Sequence, residues 1–330
     1  MFDLKKPGKL IKNAAVAIVV VALALMPYWG SLAIINIFIL VFLYMAMGQM
    51  WNLMSGYAGL VSLGQQIFIG LGGYAVAVIC QKYDLPLALG LVVAPIVSML
   101  FALVISLPLF KMAGVFFTIG SWIVAEALAL FFTNWEFVRY GFGFSLTVAR
   151  RLSLNQMYIM SFVLGAGSIL VVYLLLRTKF GLGIMAMRDN ERASEVRGVK
   201  TYRTKLMCFL ISAFVTGIAG ALIHLNIVFI QPYAAFGIDW TVIMVFIVII
   251  GGIGTIEGPI LGALIYVFLR QYLVQFPGVS MLIFGAIAII VILVAPKGVI
   301  GLLHDKTGFE LFSVRRVMKP PRLPDTPKAM

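Results

Sequence analysis

The chain has 330 residues, of which 62% are hydrophobic and only 11% are charged. A water-soluble domain carries about 25% charged residues, so this chain cannot cover a water-facing surface, and lipid must be the solvent for most of it. The net charge of +13 does not indicate nucleic-acid binding, because the basic residues lie in short runs between apolar segments.

Ten apolar runs have the length expected of membrane-crossing helices, for which about 20 residues are needed. We therefore predict an all-α polytopic integral membrane protein with about ten transmembrane helices, some of them broken. The third, eighth and ninth runs are short or interrupted by glycine. The predicted spans are 13–29, 33–54, 61–80, 86–110, 113–133, 157–177, 205–230, 239–253, 258–276 and 279–295.

The positions of Lys and Arg predict the orientation of these spans. If the N-terminus is cytoplasmic, ten crossings place 20 of the 25 Lys and Arg residues on the cytoplasmic side, in agreement with the positive-inside rule. We predict a multi-pass protein of the bacterial inner membrane with both termini in the cytoplasm. Its parts are a cytoplasmic segment 1–12, a transmembrane domain 13–296, and a loose basic tail 297–330 that is attracted to anionic lipid.

The stretch 52–79 combines several glycines with a polar patch. Gly59, Ser62, Gly64 and Gln65 lie in it. Glutamine is costly in hydrocarbon unless it has a partner, and glycine lets helices approach closely or unwind. Two interpretations stay open, which are a packing seam of small residues and a discontinuous helix beside a translocation path.

A second glycine-rich stretch, 251–263, lies in the other half of the chain. Its composition is unfavourable to a regular helix through this point. One interruption in each half indicates an internal repeat, with a substrate route between the halves. The residues concerned are Gly251, Gly252, Gly254, Gly258, Pro259 and Gly262.

The loop 178–205 is the longest charged segment between spans. Asp189 or Asn190 can cap a short helix here, and Gly198 can end it. We predict an amphipathic helix of about two turns, with Ala193 on its apolar side. A helix this short is not stable alone in water, so it either lies on lipid headgroups or is held by a soluble partner.

Glu126 is the one acidic residue in the middle of a predicted span, where a charge is costly. Three roles stay open for it, which are a hydrogen bond to a neighbouring helix, a place on the translocation route, and the carrying of a proton. The sequence contains no GxxxxGK[ST] motif for ATP phosphates, and its Cys and His residues suggest no metal or cofactor site. We expect no catalytic residues, no cofactor and no metal, and an enzyme is the least favoured class.

Three segments together resemble the LivM type of branched-chain amino acid permease of ABC transporters. They are SGYAGLVSLGQQIFIGLGGY, RDNERASEVRGV and GGIGTIEGPILGA, and the resemblance extends from about residue 30 to residue 300. It implies a related LivH-type permease as partner, two cytoplasmic ATPases that drive the pair, and a periplasmic binding protein that delivers the substrate. Branched-chain amino acids are the implied substrate, with urea, amides or other small solutes as alternatives.

The resemblance also implies roles for individual residues. An ATPase-coupling role falls on Arg188, Asp189, Glu191, Ala193, Glu195 and Gly198. The glycine-rich residues of both stretches match the family's two signatures near the pathway, whereas Glu257 occupies a position that is usually uncharged in the family. The competing class is an ion-coupled secondary transporter that would use Glu126 as its ion-binding carboxylate.

Overall fold

The computed structural model describes residues 17–307 except 274 and 296. Within this part, seven helices are long and apolar enough to cross a membrane, and three shorter apolar helices bring the number to ten. Each of the ten overlaps one predicted span, so the prediction of an all-α membrane protein with about ten transmembrane helices is confirmed. The predicted segment 1–12 and residues 308–330 of the tail lie outside the described residues.

The described chain folds into fourteen numbered helices, two short 3₁₀ helices (Glu136–Val138 and Thr147–Arg151) and one short strand pair. The helices are α1 (Ala17–Tyr28), α2 (Leu32–Tyr57), α3 (Gln66–Lys82), α4 (Leu87–Leu109), α5 (Val115–Asn134), α6 (Leu154–Arg177), α7 (Lys179–Asp189), α8 (Glu191–Val196), α9 (Thr201–Ile227), α10 (Pro232–Ala235), α11 (Asp239–Gly251), α12 (Gly258–Leu273), α13 (Pro277–Val294) and α14 (Gly298–Thr307). The last turns of α2 and α3 are π-helical. The strands β1 (Phe144–Ser145) and β2 (Phe229–Ile230) pair antiparallel.

Helices α3 and α9 pack against each other through their backbones. A Cβ atom on Gly72 would lie 2.0 Å from the carbonyl oxygen of Gly217, and one on Gly220 would lie 2.3 Å from that of Ile69. Small residues permit this approach, which supplies the van der Waals contact that holds helices together in lipid. The stretch therefore acts as a packing seam. Helix α3 itself is continuous, and the interruption falls before it, in residues 58–65, which include the first five residues of the predicted third span.

The connections between helices gather at two ends of the bundle. At one end Gly59 of the 58–65 connection lies beside Arg188 of α7, and Gly56 at the end of α2 lies beside Gly254 of the 252–257 connection. At the other end the α3–α4 and α5–α6 connections meet, where Arg151 forms an ion pair of 3.3 Å with Asp84. This grouping agrees with the alternation of crossings on which the predicted topology rests.

The first residues of the predicted basic tail form helix α14. The sequence predicts a loose segment from residue 297, but the ten residues Gly298–Thr307 form a helix. A Cβ atom on Gly298 would lie 2.5 Å from the Cα atom of Gly252, so this helix begins directly against the second glycine-rich stretch. The prediction of a loose tail is wrong for these ten residues, because the contact with the bundle gives them a packing surface.

We expect Gly72→Ala to destabilise the protein, because the added methyl group would overlap the backbone of α9. Overpacking of this kind costs about 1–3 kcal/mol, which would lower the midpoint of thermal unfolding in detergent. Gly167→Ala in α6 is the matched control, since nothing lies within 4 Å of a Cβ atom there and alanine favours a helix by up to about 1 kcal/mol. Equal midpoints for the two variants would contradict the packing described.

Candidate functional site

The connection 58–65 between α2 and α3 is not helical, yet side chains bind its backbone. The indole nitrogen of Trp51 donates to the carbonyl oxygen of Ser62 over 2.9 Å, and the hydroxyl of Ser121 accepts from the backbone nitrogen of Leu63 over 3.1 Å. An unpaired backbone group in a lipid-embedded protein costs several kcal/mol. These bonds therefore hold the connection against α2 and α5.

The connection 252–257 between α11 and α12 is held in the same way, from α2. The amide of Asn52 donates to the carbonyl oxygen of Thr255 and accepts from the nitrogen of Gly254, with both bonds 2.8 Å long. One turn earlier, Gln49 donates to the carbonyl oxygen of Ile256 over 2.6 Å. Two polar side chains of α2 thus replace the helical bonds that this connection lacks.

Glycine lets the end of α2 approach the 252–257 connection, and lets α11 and α12 approach each other. A Cβ atom on Gly56 would lie 2.7 Å from the backbone nitrogen of Gly254, and Gly254 has a φ of +72°. A Cβ atom on Gly251 would lie 1.8 Å from the carbonyl oxygen of Gly258, and one on Gly262 would lie 1.9 Å from that of Ile247. An interruption is thus found within the predicted stretch 251–263, but it covers only residues 252–257, and Pro259 and Gly262 lie in α12. We call residues 52–64 and 251–258 together the glycine junction.

The segment after α6 contains two helices where the sequence predicts one. Helix α7 was not predicted, although its buried residues Gly181, Ile184 and Met187 recur at helical spacing. Helix α8 has six residues rather than two full turns, and Asn190 caps it by accepting from the nitrogen of Ala193 over 3.0 Å. The predicted alternative cap, Asp189, is instead the last residue of α7.

Both acidic residues of α8 bind α9. Glu191 forms an ion pair with Lys205, whose side chain is only 9% exposed, and Glu195 accepts a 2.5 Å hydrogen bond from the hydroxyl of Thr201. Gly198, with a φ of +86°, turns the chain between the two helices. These bonds fix α8 to the first turns of α9, although both acidic residues remain partly exposed to solvent.

The opposite side of α8 is free of the rest of the described chain. Val196 is 90% exposed, and Arg192, Ala193 and Arg197 are also exposed, whereas Ser194 is buried. Of these exposed residues, sequence reasoning selected only Ala193. Which side of so short a helix faces outward is decided by its bonds to α9, and the residue pattern alone does not reveal those bonds.

Arg188, in the last turn of α7, turns towards the glycine junction. Its Nη1 donates to the carbonyl oxygen of Gly56 over 3.1 Å, and its Nε and Nη2 each lie 3.3 Å from a carboxylate oxygen of Asp189. Four of the six residues predicted to contact an ATPase, namely Arg188, Asp189, Glu191 and Glu195, therefore make side-chain bonds within this chain.

The polar residues predicted near the pathway lie in two different environments. Ser62 and Gln65 are buried, and Gln65 accepts a 3.1 Å hydrogen bond from Ser212 of α9. Glu126 is exposed on α5 and makes no hydrogen bond or ion pair with any residue between 17 and 307 that the structure describes. The predicted bond from Glu126 to a neighbouring helix is therefore not found within this subunit.

The other end of the bundle carries exposed aromatic residues on an ordered loop. Phe142 is 82% exposed and Tyr140 is 55% exposed. Lys82 anchors the loop by donating to the carbonyl oxygen of Phe137 over 2.8 Å, and the β1–β2 pair holds it from the other side. This face offers a fixed apolar surface outside the transmembrane helices.

Comparison with known proteins identifies relatives over most of the chain. Residues 31–294 match a family described as "Branched-chain amino acid transport system / permease component". The chain is 25% identical to the high-affinity branched-chain amino acid transport system permease protein LivM of Escherichia coli K12 over 317 residues, which cover 86% of this chain and 74% of that protein. No solved structure matches the chain.

Two further relatives match shorter parts. The probable branched-chain amino acid transport permease protein LivH of Methanocaldococcus jannaschii is 28% identical over 216 residues, 62% of this chain and 64% of that protein. The L-arabinose transport system permease protein AraH of Escherichia coli K12 is 34% identical over 96 residues, 28% of this chain and 29% of that protein.

We expect Asn52→Ala to loosen the connection 252–257, because it removes both bonds from the side chain to that backbone. Leaving a buried backbone group unpaired costs about 1–3 kcal/mol, so backbone amide hydrogen exchange in 252–257 should become faster. Asn134→Ala is the control, since that amide donates to the carbonyl oxygen of Leu130 in its own helix and makes no other side-chain hydrogen bond to the described residues. Unchanged exchange in 252–257 would contradict the role given to Asn52.

Proposed function

The chain belongs to the family of permease components of branched-chain amino acid transport systems, and we propose that it forms the passage of an importer together with a second, LivH-type permease. It is a membrane-spanning permease subunit of an ABC importer and not an enzyme. Two ATPase subunits in the cytoplasm would drive the pair, and a periplasmic binding protein would deliver the solute. Branched-chain amino acids are the proposed solute, and the similarity to an arabinose permease keeps other small solutes as alternatives.

The observation that carries this proposal is the exposed side of α8. Val196, which is 90% exposed, lies on a helix that is too short to be stable by itself but is held by the ion pair between Glu191 and Lys205. An apolar residue flanked by Arg192 and Arg197 suits a soluble protein surface with an apolar pocket and acidic rim. We therefore assign this side of α8 to the ATPase.

The bonds between α8 and α9 give the proposed docking a mechanical consequence. Because Glu191 and Glu195 are fixed to the first turns of α9, a displacement of α8 by the ATPase would displace α9 as well. Helix α9 packs through its glycines against α3, which follows the first part of the glycine junction. Nucleotide-driven motion would thus reach the membrane-embedded helices without any ATP site in this chain.

The proposed orientation places α8 and the glycine junction in the cytoplasm-facing half and both termini in the cytoplasm of a bacterial inner membrane. The eight Lys and Arg residues between 177 and 205 favour this orientation. The exposed aromatic loop with Phe142 then lies on the periplasmic side, where a binding protein can dock.

The exposed position of Glu126 on α5 favours a passage that lies between two permease subunits. It shares an exposed face of α5 with Ile119, Ile123 and Leu130. A carboxylate that faces lipid near the middle of a span is costly, so we propose that this face of α5 is covered by the second permease and lines the route. The same exposed carboxylate is what an ion-coupled transporter would need, which is the second candidate function.

We expect a cysteine introduced by Ala193→Cys to cross-link to an ATPase subunit in the assembled transporter, because residue 193 lies on the exposed side of α8. The native Cys80 and Cys208 are buried and give little background. Ser145→Cys, exposed at the other end of the bundle, is the control and should capture no ATPase. Failure of Ala193→Cys to trap any ATPase would contradict the assignment of α8.

A change of Val196 tests the same surface by affinity. Loss of an apolar anchor at an interface costs about 2 kcal/mol, which is about thirtyfold in affinity. We therefore expect Val196→Asp to weaken binding of the ATPase to the permease by at least that factor. Equal affinities of the variant and the unaltered protein would show that Val196 lies outside the contact.

Glu126→Gln separates the two candidate functions. For a permease driven by ATPases, we expect uptake by the variant to remain dependent on ATP and insensitive to uncouplers, because no ion is carried by this carboxylate. Uptake by the unaltered protein that requires an ion gradient, together with its loss in Glu126→Gln, would instead establish the ion-coupled transporter.

A further inference from the structure

Arg188 connects the segment proposed to receive the ATPase with the end of α2. It lies in the last turn of α7, immediately before α8, and its Nη1 donates to the carbonyl oxygen of Gly56 over 3.1 Å. The last carbonyls of a helix have no helical N–H to bond, and a cation is favoured near a helix C-terminus. The guanidinium therefore supplies a partner that α2 lacks at this end.

The same side chain lies against both parts of the glycine junction. A Cβ atom on Gly59 would lie 3.2 Å from the Cγ atom of Arg188, and one on Gly254 would lie 3.6 Å from its Nη1. Gly59 and Gly254 both have a φ of +72°, a conformation that favours glycine. One side chain thus lies beside a glycine of each connection, and the two glycines are separated by almost 200 residues of sequence.

We infer that Arg188 is a positioning residue that transmits the displacement of α8 to both connections of the glycine junction, and that it is not part of the surface bound by the ATPase. This inference rests on the proposed function, in which the ATPase displaces α8. In such transitions, a few residues at the ends of helices and strands absorb the backbone changes, while the helices move as units. A charge-assisted hydrogen bond is strong enough to keep Arg188 and Gly56 together during the motion.

The test compares ATP hydrolysis with solute uptake in proteoliposomes that contain the complete transporter, in an Ala193→Cys background. We expect Arg188→Ala to raise the number of ATP molecules hydrolysed per solute molecule at least tenfold, with the yield of the cross-link to the ATPase unchanged. Lys111→Ala is the control, because Lys111 is an exposed cation at the end of α4, outside α7 and α8. It should leave both the ratio and the cross-link unchanged.

Gly59→Ala provides a second variant in case Arg188→Ala does not assemble. It keeps every charge, but its methyl group would lie 3.2–3.3 Å from atoms of Arg188 in a backbone conformation that disfavours alanine. We expect the same rise in ATP consumed per solute molecule. A ratio equal to that of the unaltered transporter in either variant would overturn the role of Arg188.

The cross-link distinguishes failure of this inference from failure of the proposed function. Loss of the cross-link in Arg188→Ala while it persists in Lys111→Ala would place Arg188 in the docking surface and overturn the inference. Absence of the cross-link even with Arg188 intact would contradict the proposed docking itself, and the inference with it.

Discussion

The structure depends on a single constraint, which is that backbone N–H and C=O groups within a bilayer need partners inside the protein. Helices meet this constraint by themselves, but the connections 58–65 and 252–257 are not helical. Their backbones are instead bonded by side chains such as those of Trp51, Asn52 and Ser121. Each of these side chains therefore fixes the position of a segment that would otherwise be too costly to keep in a membrane protein.

The same arrangement makes the glycine junction the part of the bundle best suited to change shape. A helix has a bond at every residue, whereas each connection is held by a few side-chain bonds that can be exchanged for others. Its contacts are between backbones, as between Gly56 and Gly254, so small displacements move whole segments. Helix α8 is fixed to α9 through Glu191 and Glu195. In the proposed assembly, a displacement of α8 outside the membrane would therefore displace α9 and the region next to it.

Much of this architecture could be predicted from the sequence because the signals are local. The length of each apolar run predicts a crossing, and a cluster such as Gly251, Gly252 and Gly254 predicts the end of a helix. Helix α7 was missed because its short apolar face is diluted by glycines and charged residues. The five-residue error at the start of α3, which was predicted at residue 61 and begins at Gln66, arose because the connection before it contains the apolar residues Leu60, Val61 and Leu63.

The roles of charged residues could not be predicted, because they depend on partners that are distant in sequence. The charged sequence around Arg188 suggests a docking segment, yet its guanidinium donates to the carbonyl oxygen of Gly56, 132 residues away. The ion pair of Glu191 likewise follows only from the position of Lys205 in the fold. The face of α5 that carries Glu126 is exposed in this subunit. In the proposed assembly the residues that contact Glu126 therefore belong to the second permease.

The central claim is that α8 and the glycine junction move together when the ATPases bind nucleotide. Pulsed EPR distances in the complete transporter test it most directly, with spin labels at the exposed positions Ala193, Ile253 and Phe142. The account predicts that ATP leaves the distance between residues 193 and 253 unchanged while both distances to residue 142 change. A 193–253 distance that changes on addition of ATP, with the 253–142 distance constant, would contradict it.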